Sequence, residues 1–109
     1  MISRIVDCNV KPDKLNALRQ KLNTDYLPRI KQQPGFVDVI ESVDTATGHF
    51  VCNTFWKTNQ DVKHYDSTLF QEIATALTPL LTSPPAVSTL QVENSTPHKI
   101  TAGKSAAAA

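Results

Sequence analysis

Four side chains that lie close together in the sequence can do chemistry on a small molecule: Asn53, Trp56, His64 and Tyr65. The adjacent His64 and Tyr65 can bind or deprotonate a phenol, because imidazole titrates near neutral pH. Trp56, the one tryptophan of the chain, ends an apolar run and combines a large ring with an N–H donor. These residue types point to a phenolic ligand.

Each of these residues also has an interpretation without catalysis. Trp56 can plug the edge of a core, with its indole N–H donating to a backbone carbonyl. Asn53 can be a hydrogen-bonded residue of a sheet or an interface. His64 and Tyr65 can lie on the solvated face of a polar helix. Both interpretations stay open at this level.

The positions of these four candidate residues are set by strands and helices, which the sequence patterns predict. Apolar and β-branched runs predict four strands, at 2–10, 36–43, 49–56 and 86–93. The turn-forming residues 44–48 join the second and third strands as a hairpin. Apolar residues at spacings of three and four predict a helix after Pro12, with a kink or restart at Pro28.

Two further helices are predicted between Trp56 and the last strand. Thr58 and Asp61 resemble a capping box and predict a short polar helix over 59–66. Thr68 and Gln71 repeat that signal and begin an apolar helix to about Leu81, with Pro79 bending its last turn.

The order β-α-β-β-α-β predicts an α+β fold of the ferredoxin-like kind, with an antiparallel sheet and both helical regions on one face. The second strand carries hydrophobic residues on both of its faces, so we expect a second copy to cover the other face of the sheet as a homodimer. We expect residues 1–93 to form this domain. Residues 94–109 read as an extended arm that can cross to the partner, with a disordered end.

Composition excludes several classes of partner. Eleven basic residues against ten acidic ones leave a net charge of +1, which provides no electrostatic basis for binding nucleic acid or an anionic membrane. No apolar run approaches the roughly 18 residues of a membrane span and no signal peptide is evident, so we expect a cytoplasmic protein. No residues recur at metal-ligand spacing.

Cys8 and Cys52 are expected as reduced core thiols, with a disulfide as the alternative.

Five segments together resemble the antibiotic biosynthesis monooxygenase domain family over residues 2 to about 93: VKPDKL, LPRIKQQPGF, VDTATGHF, TFWKTNQDVKHY and LTPLLTSPPAV. The resemblance implies a dimeric α+β barrel with a pocket between the helices and the sheet of each subunit. It also implies oxygen chemistry without a metal, flavin or other cofactor. In such chemistry a deprotonated phenol or hydroquinone reduces oxygen itself, and the protein supplies orientation and a dry cavity.

The resemblance also implies site residues. In polyketide quinone-forming members, a strand-end Trp works with an Asn four residues earlier and a Tyr six residues later. Trp56 matches, whereas Cys52 and Val62 occupy the other two positions, and the nearest substitutes are Asn53 and Tyr65. We therefore name Trp56, Asn53, Tyr65 and His64 as candidate catalytic residues of a cofactor-independent monooxygenase acting on a phenolic, quinol or polycyclic aromatic molecule.

Two other functions are compatible with the same resemblance. Haem-degrading members use an Asn in the first strand, a Trp on the short helix and an axial His on the long helix. Tyr65 and Ala74 occupy the last two positions, and Asn9 sits too close to the helix start to match the first, which makes haem degradation the weaker interpretation. A non-catalytic dimeric binding or structural domain is the alternative. An enzyme requires an enclosed apolar cavity with inward polar groups, whereas a structural domain fills this space, with Phe55, Trp56, Phe70 and leucines.

In the first strand, Arg4 and Asp7 have two interpretations that depend on the register. They reach into the pocket or the centre of the barrel, or they form a salt bridge within the sheet or across the dimer.

Overall fold

Four strands pair into one antiparallel sheet in a computed structural model that describes residues 1–96. The strands are β1 (Ile2–Asn9), β2 (Phe36–Asp44), β3 (His49–Trp56) and β4 (Ala86–Gln91). Their order across the sheet is β2-β3-β1-β4. This order, with the helical segments between β1 and β2 and between β3 and β4, confirms the predicted ferredoxin-like α+β fold.

The central strands owe their place to alternation of side chains. In β1, Ile2, Val6 and Cys8 are buried beneath the helices, while Ser3, between the first two, lies on the other face. The hairpin between β2 and β3 ends at Gly48, whose φ of +79° suits glycine. A Cβ at Gly48 would also lie 2.6 Å from the carbonyl oxygen of Val10, so a side chain there is excluded twice over.

The first helical region is continuous through the proline that was expected to interrupt it. It runs as α1 (Leu15–Gln20), a π-helical segment (Lys21–Tyr26) and α2 (Leu27–Lys31). Pro28 lies in the first turn of α2, where its missing N–H costs little, and the wider π turn before it absorbs the change in hydrogen bonding.

The second helical region begins as predicted and ends differently. In α3 (Asn59–Ser67), the Thr58 hydroxyl accepts a hydrogen bond from the Asp61 N–H at 3.1 Å. The capping box predicted at Thr68 before α4 (Leu69–Leu77) is wrong, because the Thr68 hydroxyl donates to the His64 carbonyl at 2.6 Å. After α4 the chain tightens into a 3-10 turn over Thr78–Leu80 instead of remaining α-helical to Leu81.

The helices cover one face of the sheet and enclose the core between the two layers. None of the helices within residues 1–96 is long and apolar enough to cross a bilayer. Strand β4 ends two residues earlier than the predicted 86–93. The predicted disordered end of the arm falls on 97–109, outside the described residues.

Candidate functional site

A narrow cavity of about 40 Å³ lies between the sheet and the helices. Its floor is formed by inward side chains of β1 and β3, and its other walls come mainly from α1, the π-helical segment and α4. Most of the lining is apolar. The polar members of the lining are Arg4, Cys8, Cys52, Thr54 and Tyr65. An apolar enclosure with a few convergent polar groups is the usual form of a small-molecule site.

Arg4 carries the charge of this cavity. Its side chain is 1% exposed because it belongs to the inward half of β1, between Ile2 and Val6. Its Nη2 lies 2.6 Å from Oδ1 of Asp66 on α3, and its guanidinium carbon lies 4.1 Å from the ring centroid of Phe70. Arg4 therefore reaches into the pocket, and its ion pair is made with helix α3 and not within the sheet.

The hydrogen bonding of Arg4 is incomplete. Neither Nε nor Nη2 makes a hydrogen bond to any residue in the described part of the chain. The close approach of Nη2 to Asp66 is an ion pair without the angle of a hydrogen bond. A buried guanidinium with unused donors is costly, which makes it a candidate binding group.

Tyr65 lies in the cavity wall at the end of the cavity that holds Arg4. Its side chain is buried at 3% exposure, and the Arg4 guanidinium carbon lies 5.2 Å from its ring centroid. Burial raises the pKa of the Tyr65 phenol above its ordinary value, and the nearby Arg4 opposes that shift only in part. The phenol therefore stays protonated at neutral pH and can donate a hydrogen bond.

Trp56 lies behind the cavity wall and not in it. It is 0% exposed, and its indole N–H donates to the Thr54 hydroxyl at 2.8 Å, where we had expected a backbone carbonyl. Its ring meets Phe36 edge to face at 5.8 Å and packs against Tyr65 at 4.7 Å. Trp56 thus contacts the cavity through Thr54 and Tyr65, which both line it.

The other two predicted site residues lie elsewhere. Asn53 is on the face of the sheet away from the helices, where its side-chain oxygen accepts a hydrogen bond from Ser3 at 2.9 Å. His64 is exposed on α3 and lines a surface groove beside the Arg29–Glu72 ion pair. The structure therefore brings Trp56 and Tyr65 together and leaves Asn53 and His64 apart from them.

Asp7 has a simple role on the same outer face as Asn53. One of its carboxylate oxygens lies 2.8 Å from Nε2 of His49 on the neighbouring strand. Both side chains are nearly half exposed, so the pair is a surface contact within the sheet.

Both cysteines line the cavity as free thiols. Burial raises the pKa of Cys8 to about 11 and that of Cys52 to about 12, and Coulombic repulsion from Glu41 adds to the second shift. The thiols are therefore protonated at neutral pH and behave as small apolar groups.

Glu41 is a half-buried residue with one buried carboxylate oxygen, and the sequence patterns did not predict it. It pairs in register with Cys52 on the side of β2 that faces the helices, and its Oε2 has no hydrogen-bond partner among residues 1–96. Desolvation raises the pKa of its carboxyl. A sequence signal existed, because Glu41 interrupts the alternating Val39 and Val43.

The donor set of the cavity does not suit a haem iron. Ala74 lies in its wall at the position that the family resemblance aligns with an axial His. The thiols and the phenol that line the cavity are held protonated by burial, and iron is ligated by their anions. Within the described residues, no three His, Cys, Asp or Glu side chains cluster as a metal site.

No protein-family model matches the chain, and no curated protein matches its sequence significantly. Solved structures do match it. A monooxygenase from the gene ActVA-Orf6 of Streptomyces coelicolor, in complex with nanaomycin D, is 18% identical with a TM-score of 0.75, and the match covers 90% of this chain and 92% of that one. A protein described as an antibiotic biosynthesis monooxygenase is 18% identical, with a TM-score of 0.71 and coverage of 86% and 100%.

A MhuD variant with two manganese protoporphyrin IX molecules bound per active site is 11% identical, with a TM-score of 0.73 and coverage of 90% and 100%. At these identities the likeness establishes the fold and not the activity. The chain therefore has the fold of the antibiotic biosynthesis monooxygenases.

Proposed function

We propose that the chain belongs to the antibiotic biosynthesis monooxygenase family and is a cofactor-independent monooxygenase acting on a phenolic, quinol or polycyclic aromatic molecule. The observation that carries this proposal is the apolar cavity between helices and sheet, with Arg4 and Tyr65 at one end. The solved structure of the Streptomyces coelicolor monooxygenase with nanaomycin D adds support by fold.

The proposed reaction needs few protein groups. An anthrone or hydroquinone that has lost a proton is electron-rich enough to pass an electron to O₂ within a dry cavity. With an anthrone, recombination of the two radicals forms a carbon–oxygen bond and a peroxide anion, which takes up a proton from solvent; loss of water then breaks the O–O bond and leaves the quinone carbonyl. A hydroquinone passes two electrons and two protons to O₂ and leaves as the quinone, with H₂O₂ as the other product. The protein has to hold the ring and the oxygen together and keep bulk water out.

Tyr65 is the residue to which we assign direct contact with the substrate. Its protonated phenol can donate a hydrogen bond to a substrate oxygen, since burial holds the pKa of Tyr65 above its ordinary value. Trp56 supports the Tyr65 ring from behind at 4.7 Å. Asn53 and His64 lie outside the cavity, and we give them no part in the reaction.

The cavity must open to admit such a substrate. A volume of about 40 Å³ holds a few water molecules, whereas a protein cavity that binds benzene has a volume of roughly 150 Å³. Phe70 is the wall residue best placed to move, because it is only partly buried and contacts the Arg4 guanidinium with one face.

A non-catalytic binding or structural domain of the same fold is the second candidate. The small cavity volume and the complete burial of Trp56 favour it. Phe55, which that interpretation had placed in the core filling, lies instead on the outer face, where it pairs in register with Ser3. Only the monooxygenase candidate requires the protein to consume oxygen in the presence of a substrate.

Oxygen uptake separates them. The purified protein is incubated with a panel of hydroquinones and anthrones, and oxygen consumption is recorded against buffer and against heat-denatured protein. Accelerated uptake supports the monooxygenase. No acceleration with any member of the panel would leave the non-catalytic domain as the better description.

We also propose that the protein is a homodimer through the outer face of the sheet. That face carries Leu90, which is 56% exposed, together with the partly buried Ile5, Ile40, Val51 and Phe55. A second copy would remove these apolar surfaces from water. Sedimentation equilibrium should give twice the chain mass, and a monomer mass at micromolar concentration would contradict the dimer.

Haem degradation is less favoured because the cavity has Ala74 where an axial His would be expected, and its thiols and phenol are protonated. A titration of the protein with haem, followed at the Soret band, should show no saturable shift. A stoichiometric shift with a stable endpoint would restore this function.

A further inference from the structure

The Arg4 guanidinium is a full positive charge placed in an apolar cavity with part of its hydrogen-bonding capacity unused. Its side chain is 1% exposed, and Nε makes no hydrogen bond within the described chain. Water does not screen a charge at this depth as it does at the surface. An anion that entered the cavity would therefore gain strongly from Arg4.

The neighbours of Arg4 leave room for one more acceptor. Asp66 pairs with Nη2 from one side, but its own side chain is 38% exposed and so stays partly solvated. Tyr65 and Phe70 present ring faces to the guanidinium, at 5.2 and 4.1 Å, and aromatic faces accept no strong hydrogen bond. The Nε donor remains for an oxygen that comes from outside the chain.

We propose that Arg4 is the ligand-recognition residue of the cavity and that it binds the anionic oxygen of a phenolate or enolate on a planar aromatic ring. This inference rests on the proposed function, because it names the form of the substrate that the site selects. Arg4 acts as a binding residue that favours the deprotonated ligand. It transfers no proton, since guanidinium stays protonated throughout the accessible pH range.

A single-oxygen anion fits Arg4 better than a carboxylate. A carboxylate is bound best by two parallel N–H donors of one guanidinium. At Arg4, Asp66 already competes for Nη2 and leaves Nε as the donor without an acidic partner. A phenolate needs one strong donor, and its ring can occupy the place of Phe70 against the guanidinium face.

The test measures binding and not turnover, so it can fail independently of the monooxygenase proposal. The dissociation constants of 4-nitrophenolate, 4-nitrobenzoate and nitrobenzene are measured by calorimetry with wild-type protein and with Arg4→Met. The pH is one at which 4-nitrophenol is ionised in solution. Wild-type protein should bind 4-nitrophenolate at least about tenfold more tightly than nitrobenzene, the size of one charge-assisted hydrogen bond. In Arg4→Met this preference should disappear while nitrobenzene binding persists.

A second variant tests the inference in the opposite direction and does not depend on Arg4→Met folding. Asp66→Asn removes the competing carboxylate and its repulsion of an incoming anion, so 4-nitrophenolate affinity should rise severalfold while nitrobenzene affinity stays constant. Unchanged or weaker phenolate binding in Asp66→Asn overturns the proposal. Equal binding of 4-nitrophenolate and nitrobenzene by wild-type protein, tighter binding of 4-nitrobenzoate, or no binding of any probe overturns it as well.

If phenolate binding depends on Arg4 but the oxygen-uptake panel shows no turnover, the recognition site stands and the monooxygenase proposal fails. If turnover occurs and phenolate binding is independent of Arg4, the recognition proposal alone fails.

Discussion

The indole ring of Trp56 and the phenol ring of Tyr65 pack with their centroids 4.7 Å apart and their planes 31° apart. One ring is part of the core behind the cavity, and the other forms part of the cavity wall. The strand-end tryptophan therefore stabilises the fold and orients a site residue through the same contact. A substitution of Trp56 should therefore change both the stability of the fold and the orientation of Tyr65.

Replacing Trp56 with Phe should lower the free energy of unfolding by about 2 kcal/mol, because it removes buried ring area and the hydrogen bond to Thr54. Chemical denaturation measures the loss. Thr54→Val is the matched comparison, since it leaves the indole N–H without its acceptor and should cost about 1 to 3 kcal/mol. A Trp56→Phe protein with unchanged stability and lost oxygen uptake would contradict the packing role and indicate direct catalysis.

The sequence predicted the fold well because its signals are local and agree with each other. The β-branched run of β1, the turn residues before Gly48 and the Thr58 cap each indicate one element, and together they agree with one topology. The π-helical turn before Pro28 was missed, since the sequence of Lys21–Tyr26 reads as ordinary helix.

The cavity was harder to predict because its polar side chains lie on strand and helix faces whose other residues are mostly apolar. Arg4 occupies the inward half of a strand whose two faces both carry hydrophobic residues, so periodicity alone could not orient it. Adjacent residues of a strand face opposite sides of the sheet, so Asn53 lies on the outer face while Cys52 lines the cavity. His64 and Tyr65 are adjacent in sequence, but only Tyr65 faces inward from α3.

The thiols of Cys8 and Cys52 should resist alkylation in the native protein at pH 8. Burial holds the pKa of Cys8 at about 11 and that of Cys52 at about 12, so the reactive thiolate is scarce and shielded. Mass spectrometry after brief iodoacetamide treatment should show no labelling, and denatured protein should label at both positions. Rapid native labelling of Cys52 would show that the cavity is open or the thiol is ionised.

Glu41→Gln should make the protein more stable at neutral pH. A carboxyl whose pKa is raised in the folded state binds more protons folded than unfolded. The free energy of unfolding therefore falls as pH rises from the unfolded-state pKa of about 4.3 through the higher folded-state value. The variant should lose this pH dependence and should be more stable than wild-type protein at pH 7, because an amide carries no charge that burial would desolvate.

Denaturant unfolding at several pH values between about 4 and 7 measures that effect for Glu41. The exposed Glu93 provides the matched control, and Glu93→Gln should leave the wild-type pH profile in place. Parallel profiles for Glu41→Gln and wild-type protein would show that the Glu41 carboxyl is solvated.

Phe70→Ala should widen the cavity at the expense of stability. It removes a ring that lines the cavity and covers the Arg4 guanidinium, so uncharged aromatic probes such as nitrobenzene should bind several times more tightly. The free energy of unfolding should fall by about 2 to 3 kcal/mol. Phe36→Ala is the control, because Phe36 packs on Trp56 and lies outside the cavity lining.

Calorimetry with nitrobenzene distinguishes the two phenylalanine variants. The gain in affinity should appear in Phe70→Ala only, while both variants lose stability. Equal affinities in Phe70→Ala and wild-type protein would mean that Phe70 does not limit access to the cavity.

The central claim, that this cavity is an active site, is tested most directly by oxygen uptake with an anthrone in two variants of helix α4. Ala74 lines the cavity, whereas the adjacent Thr75 is exposed. We predict that wild-type protein and Thr75→Phe accelerate oxygen uptake above buffer and that Ala74→Phe, which fills the cavity, reduces the acceleration at least about tenfold while remaining folded. Equal acceleration by Ala74→Phe and wild-type protein, or none by wild-type protein, would contradict the account.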